Sequence, residues 1–195
     1  VEAGRVTIRI TLQERKHRTI GAGLRFGTDE GIGVRASWEH RNMRHRGEVL
    51  RLKGTLAQNE IGAGVEYGFP RWRREDQSLI LNAEVRRDDL DAYNAAGIEL
   101  GANVRRKLSE TLDVSGGLRF RAREVEQDGE TNTFELFSTP FEVSWRRGDL
   151  GMNPIRGLRL RGRIEPFMDA FGFQQAFLKI GAEVIVYQPL DRERH

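Results

Sequence analysis

The chain has 195 residues, 38% of them apolar, with 32 Lys and Arg against 29 Asp and Glu for a net charge of +3. That length suits one domain, but the apolar share is low for a thick dry core, and charges this interspersed exclude a massed nucleic-acid patch. No run approaches the roughly 20 apolar residues of a membrane-spanning helix, so any membrane role falls to strands of about 9 to 11 residues, and the absence of cysteine removes disulfides, thiolate metal sites and cysteine nucleophiles.

In chain order, Arg5 to Leu12 alternates Val6, Ile8, Ile10 and Leu12 with polar residues, a strand with one buried face, and Gln13 to Arg18 breaks the pattern with charge. From Thr19 the alternation is continuous. Ile20, Ala22, Leu24 and Phe26 share one face, with Gly21, Gly23, Arg25 and Gly27 on the other, before a turn at Thr28 to Gly31. Ile32 to Glu39, Leu50 to Leu56 and Ile61 to Phe69 repeat the scheme, separated by a basic connection at Arg41 to Gly47 and a turn at Gln58 to Glu60. Pro70 to Gln77 is a charged loop. Leu79 to Arg86, Gly97 to Arg105 and Leu112 to Arg121 follow, with an acidic loop expected at Asp88 to Tyr93, a turn at Lys107 to Glu110 and a polar loop at Glu126 to Asn132.

The next strand places Phe134 and Leu136 on one phase and Phe141, Val143 and Trp145 on the other. A bulge at Pro140 is the expected reconciliation. Gly148, Gly151, Asn153, Pro154 and Gly157 then punctuate a turn, Leu158, Leu160 and Ile164 alternate with Arg159, Arg161 and Arg163, and a last strand runs to Val186. The pattern predicts an all-β fold of about ten strands after Arg18, connected up and down, with no helix.

Alternation alone does not say which face is inside, because a soluble barrel and a lipid-embedded one produce the same string. Three features choose lipid on the apolar side. Glycines crowd the polar face, as a tightly curved interior requires. The apolar face carries no charge through any strand centre, where a misplaced Arg or Lys costs about 2 to 4 kcal/mol near the midplane. Aromatic residues gather at strand ends on the apolar phase, with Phe26, Phe120 and Phe134 at one rim and Trp38, Tyr67, Phe69 and Trp145 at the other, as interfacial girdles do. The fold class expected is an antiparallel up-and-down transmembrane β-barrel, of which this chain supplies a part.

The turn pattern R-x-D-x-x-x-N-P-x-x-G-x-x-L at Arg147 to Leu160, with Asp149, Asn153, Pro154 and Gly157 as its turn residues, resembles a hairpin of the bacterial surface-antigen family of outer-membrane barrels. Together with GTDEGIGVRASWEHRNMRHRGEVLRLKG and FPRWRREDQSLILNAEVRRDD, it resembles the TamA branch more than the BamA branch. The resemblance implies residues 1–14 as the last strand of an upstream POTRA domain, residues 15–195 as the first part of a 16-stranded barrel, and the chain as a piece of something longer. It also implies a function, helping to insert β-barrel or autotransporter clients into the Gram-negative outer membrane, in contact with its lipid and with a periplasm-spanning TamB-like partner.

By that likeness the first barrel strand, Thr19, Ile20, Gly21, Ala22, Gly23, Leu24, Arg25, Phe26 and Gly27, is one side of a lateral seam. Its glycines explain themselves equally as a weakly pairing edge or as relief of crowding. An amino terminus on the periplasmic side puts the basic connections in the periplasm. Arg71, Trp72, Arg73 and Arg74 are then a docking patch, or, more plainly, a solvated turn whose Trp sits at the interface.

No catalytic or cofactor pattern emerges. His17, His40, His45 and His195 lack a third ligand at metal spacing, the GAG triplets precede no helix, and Glu39, Glu66, Glu84, Glu99, Glu142 and Glu183 alternate with arginines as mutual neutralisation demands. The chain is expected to be a non-enzyme without cofactor, metal or nucleic acid. A two-partner-type secretion pore and a soluble or structural β-barrel binding protein are the alternative functions.

Overall fold

A computed structural model describes residues 16–28, 31–90, 92–149, 156–171 and 176–188. The proposed POTRA strand and most of the hairpin turn, Asn153 and Pro154 included, lie outside these residues. The described chain forms one antiparallel sheet of β1 (Arg18–Gly27), β2 (Gly31–Arg41), β3 (Val49–Ala57), β4 (Glu60–Phe69), β5 (Gln77–Leu90), β6 (Tyr93–Lys107), β7 (Leu112–Gln127), β8 (Glu130–Ser138), β9 (Phe141–Asp149), β10 (Arg156–Asp169) and β11 (Ala176–Tyr187). Each strand pairs with its sequence neighbours, except that β8 and β9 share one place between β7 and β10. This is the up-and-down order expected of short connections between antiparallel strands.

Register carries the apolar phase across the sheet without a slip. Leu24 pairs with Val34, Val34 with Leu56, Val65 with Ala83, Ala83 with Leu100 and Leu100 with Phe120, so one face is apolar from β1 to β7. That face is open. Leu24 is 89% exposed, Val34 49%, Leu52 42% and Leu100 47%, whereas Glu60, Asp88 and Glu165 on the opposite face are about 5% exposed. Water would impose the reverse arrangement, because apolar area is what it expels and unpaired carboxylates are what it solvates. A hydrocarbon surround accounts for both.

The charged face is the inside of the curve. A Cβ built on Gly33 would stand 2.8 Å from the Ala57 Cα, and one on Gly117 would stand 2.4 Å from the Ala102 carbonyl oxygen. Adjacent backbones approach this closely only where the sheet bends toward that face, and any larger residue would force them apart.

The sheet corrects three expectations. No extra residue is inserted at Pro140. Ser138 pairs with Arg119 and Phe141 with Gly116, so the register on β7 is continuous, as it is on β10. Only the regular ladder lapses, at Thr139 and Pro140. The Thr139 N–H still donates to the Pro166 carbonyl, and the Pro140 carbonyl still accepts from the Gly117 N–H, both within 3.2 Å. The phase therefore does not flip, Phe137 joins Phe141, Val143 and Trp145 on the apolar face opposite Phe120, and Phe134 and Leu136 pair with Arg123 and Arg121 on the charged side. Phe134 accordingly leaves the aromatic rim.

Second, Asp88 to Tyr93 is mostly strand, with Asp88 paired to Ala95 and Leu90 to Tyr93. Third, the Glu126 to Asn132 loop contracts to a tight turn at Asp128 and Gly129, both at positive φ (54° and 80°), the backbone of a two-residue hairpin connection. Polar alternation past the membrane edge is hard to distinguish from a loop, which is why these strands run longer than their apolar pattern.

Candidate functional site

Among the described residues β1 pairs only with β2 and forms one edge of the sheet, with all of Thr19 to Gly27 in the ladder. The two explanations of its glycines divide by position. At Gly21 an added Cβ would meet the Ser37 hydroxyl oxygen at 2.6 Å, a contact a rotamer change relieves, and at Gly23 nothing lies within 4 Å. Crowding thus accounts for Gly33 and Gly117 but not for Gly23, which costs the strand about 0.5 to 1 kcal/mol of conformational freedom without a steric return.

The apolar belt is shorter over the first strands of the sheet than over the later ones. It spans seven residues on β1 (Ile20 to Phe26), β2 (Ile32 to Trp38), β3 (Leu50 to Leu56) and β5 (Leu79 to Val85), against eleven on β7 (Leu112 to Ala122), β10 (Leu158 to Met168) and β11 (Ala176 to Val186). At 3.4 Å per residue these are about 20 Å and about 34 Å along the strand.

On the concave side Arg25 reaches from β1 over β2 and β3 to Glu60 of β4, its Nη1 donating at 2.5 Å. Flat strands about 4.8 Å apart would make this a span of about 14 Å, and the small Gly33 and Ala57 in the same row leave the path open. Glu60 also faces Arg86 (3.7 Å), Asp88 accepts from Arg86 Nε (2.7 Å) and from Arg123 Nη2 (3.0 Å), and Gly97 separates the two arginines in their row. A chain of ion pairs therefore links β1, β4, β5 and β7. Sequence reading missed it, having placed Glu60 in a turn and Asp88 in a loop. The available signal was that each lies on the arginine phase two residues beyond a charged-face glycine or arginine.

Lower on the same face, Arg51 bridges Glu39 and Glu66, Arg121 and Arg119 share Glu99, Arg119 and the Ser138 hydroxyl both donate to Glu165 (2.6 and 2.8 Å), and Arg161 and Arg163 meet Glu142. Paired in this way the carboxylates neutralise the arginines. None forms an acid and base set apart from them, which is the arrangement the alternating sequence implied.

Arg71, Trp72, Arg73 and Arg74 occupy the turn between β4 and β5. The Trp72 N–H donates to the Gln77 carbonyl (2.8 Å), Gln77 Nε2 donates to the Trp72 carbonyl (3.1 Å), and the Arg73 guanidinium lies 4.6 Å from the Trp72 ring centroid. Arg71 and Arg73 hold φ of 53° and 62°, uncommon for residues with a Cβ. Next to them Asp76 accepts from Arg106 Nε at 2.8 Å, and this hydrogen bond holds its carboxyl below the usual carboxylate range. A depressed folded pKa means a contribution present above the unfolded value and lost as pH falls through the folded one. Comparison of Asp76→Asn with the parent is expected to show equal unfolding midpoints in strong acid and a lower midpoint for the variant at neutral pH. Equal midpoints at both pH values would refute the pairing.

Of the hairpin motif, Asp149 closes β9, and Gly157 pairs with Gly148, whose φ of 96° and 2.7 Å approach of an added Cβ to the Arg156 carbonyl oxygen admit only glycine.

The family model described as the Omp85 superfamily domain matches residues 42–195. Among solved structures, the backbone is similar to "The crystal structure of BamA from Haemophilus ducreyi lacking POTRA domains 1-3", with a TM-score of 0.76 at 17% identity, over 93% of this chain and 39% of that one. The chain thus spans about two fifths of the length of the protein it matches, and at this identity the likeness is one of fold.

Proposed function

The chain belongs to the Omp85 superfamily, non-enzymatic barrels of protein assembly and transport, and so lies in the bacterial outer membrane; from that premise we propose that it is the seam-bearing part of a TamA-like factor that assists insertion of β-barrel or autotransporter clients. The outer-membrane location sets aside a soluble binding barrel.

The edge position of β1, on the side of the sheet where the apolar belt is short, carries this reading. A belt about 14 Å shorter along the strand obliges the adjoining bilayer to thin or the strands to tilt, and either lowers the barrier to a polar backbone entering from the seam. An edge strand with an unforced glycine at Gly23 pairs weakly and offers its free backbone groups to an incoming client strand. In the same reading Arg71, Trp72, Arg73 and Arg74 face the periplasm, where the Trp and its stacked guanidinium present a flat cationic surface to a TamB-like partner. A dedicated secretion pore would need the belt to protect a permanently closed edge, and nothing in β1 favours that.

Gly23→Val in the full-length protein is the direct test, because an added Cβ there meets no neighbour and the change raises strand propensity. The variant is expected to unfold at a higher midpoint, by about 0.5 to 1 kcal/mol, while assembling clients at least fivefold more slowly. Client assembly at the parental rate in a stabilised variant would remove the seam role.

A further inference from the structure

The concave side of the edge strand is nearly bare. Between Thr19 and Arg25 it presents only Gly21 and Gly23, and with β2 these line a hollow of about 560 Å³ whose charged members are Arg25 and Arg35. Arg25 is committed to Glu60. Arg35 is exposed and, among the described residues, has no ion pair. Its row explains why. Inward across the sheet the concave positions after Arg35 are Thr55, Gly62 and Arg86, and Arg86 is itself a cation held by Glu60 and Asp88. The carboxylate on its own strand, Glu39, is taken by Arg41 and Arg51. The other unpaired cation of this wall, Lys53, has Glu84 across Gly64 in its own row. Arg35 is the charge left over, and it sits four residues, about 14 Å, inside the Gly27 and Gly31 end of the ladder.

Outward, the row holds Gly23 and then the free edge. We propose that Arg35 selects among the strands that β1 receives, by pairing with a carboxylate that the client strand carries on its concave side opposite Gly23. This rests on the seam reading above and adds to it the chemistry of the client. The sheet already uses the same geometry once. Arg25 crosses three strand spacings, about 14 Å, to reach Glu60, because Gly33 and Ala57 leave the path open. From Arg35 to a residue seated on β1 is two spacings, about 10 Å, with only Gly23 between them, where an added Cβ would meet nothing within 4 Å. An arginine and an aspartate or glutamate close that distance in a charge-assisted pair. A lysine or arginine in the client at this position sets like charges beside Arg25 and Arg35, with the nearby carboxylates Glu39 and Glu60 already engaged.

The probe is a synthetic strand of about eleven residues, valine alternating with threonine, carrying glutamate, glutamine or lysine at its central polar position. Each peptide is labelled with a fluorophore and titrated with the full-length protein in non-ionic detergent. The parent is expected to bind the glutamate peptide about tenfold more tightly than the glutamine peptide, and the lysine peptide more weakly still. Arg35→Gln is expected to bring glutamate and glutamine within about twofold, and Arg35→Glu to invert the order so that lysine binds best. Lys53→Gln, at a cation with a carboxylate in its own row, is expected to keep the parental order. Partition into micelles cancels, because every variant meets the same three peptides. Arg35 is exposed and unpaired, so its variants are expected to fold, as the heat-dependent gel shift of folded barrels checks, and either one alone decides the matter. Equal affinity for the three peptides in the parent, or a glutamate preference that survives Arg35→Glu, would overturn the selection and leave the seam standing. Capture of none of the peptides would remove the seam reading, and the selection with it.

Discussion

Replacing Leu100 with arginine is expected to cost about 2 to 4 kcal/mol, whereas replacing Asn82 with arginine is expected to change stability by less than about 0.5 kcal/mol. The two positions lie on adjacent strands and opposite faces. Leu100 stands 47% exposed between Ala83 and Phe120, in the middle of the uncharged belt, where an added guanidinium has neither water nor a partner. Asn82 is paired with Glu66 on the concave side, so a new cation there meets a carboxylate already on hand. Denaturant unfolding of the lipid-reconstituted protein, with gel mobility as the measure of folding, checks both. Equal penalties at the two sites, or a larger one at Asn82, would mean that lipid does not face the leucines, and the membrane assignment of the whole sheet would fall with it.

Glu60→Gln is the second large effect. Glu60 is 6% exposed and answers both Arg25 of the edge strand and Arg86 of β5, so removing its charge cuts the tie from β1 to β4 and leaves Arg86 to Asp88 alone in a half-wet interior. Breaking a fully buried pair costs about 3 to 5 kcal/mol and an exposed one under about 1. Arg25 and Arg86 are partly solvated, which places the expected loss near 2 kcal/mol.

The loss is expected to be local, because Arg25 is the described tie from β1 to a strand other than β2, and the other described ion pairs, apart from Arg161 with Glu183 at the β11 edge, lie on strands held on both sides. Hydrogen exchange of the β1 amides from Gly21 to Phe26 should accelerate at least tenfold, with the amides of β6 and β7 unchanged. Uniform acceleration across the sheet would show that Glu60 supports the barrel as a whole and does not latch its edge. Combined with Gly23→Val, which stiffens the same strand, Glu60→Gln should be partly offset, since both act on one local opening.

Much of this architecture was legible in the residues because period-two alternation is a local property. Leu24 and Arg25, or Leu100 and Gly101, must point to opposite sides of any strand that contains them, and a run of such pairs without a charged residue on the apolar side already distinguishes lipid from water. The turn glycines and the basic and acidic connections are equally local. The place of Phe134 and Leu136 was not legible. Deciding whether Pro140 shifts the phase requires the register against β7 and β10, and the partners Gly116, Arg119, Ile164 and Phe167 that keep the count unbroken lie about 20 to 30 residues away in sequence.

Likewise the sequence by itself determined that this is a two-faced antiparallel sheet with an uncharged side, because alternation is written residue by residue. Only the tertiary structure decided which carboxylates matter and which glycines are obligatory. Glu60 and Asp88 become buried when curvature brings arginines from β1 and β7 over intervening small residues, and Gly33 and Gly117 become irreplaceable when that same curvature presses neighbouring backbones together, while Gly23 stays unconstrained at the edge. The physical reason is that concavity belongs to the sum of many strand pairings, so it acts on residues far apart in the chain and leaves no trace in any one stretch of it.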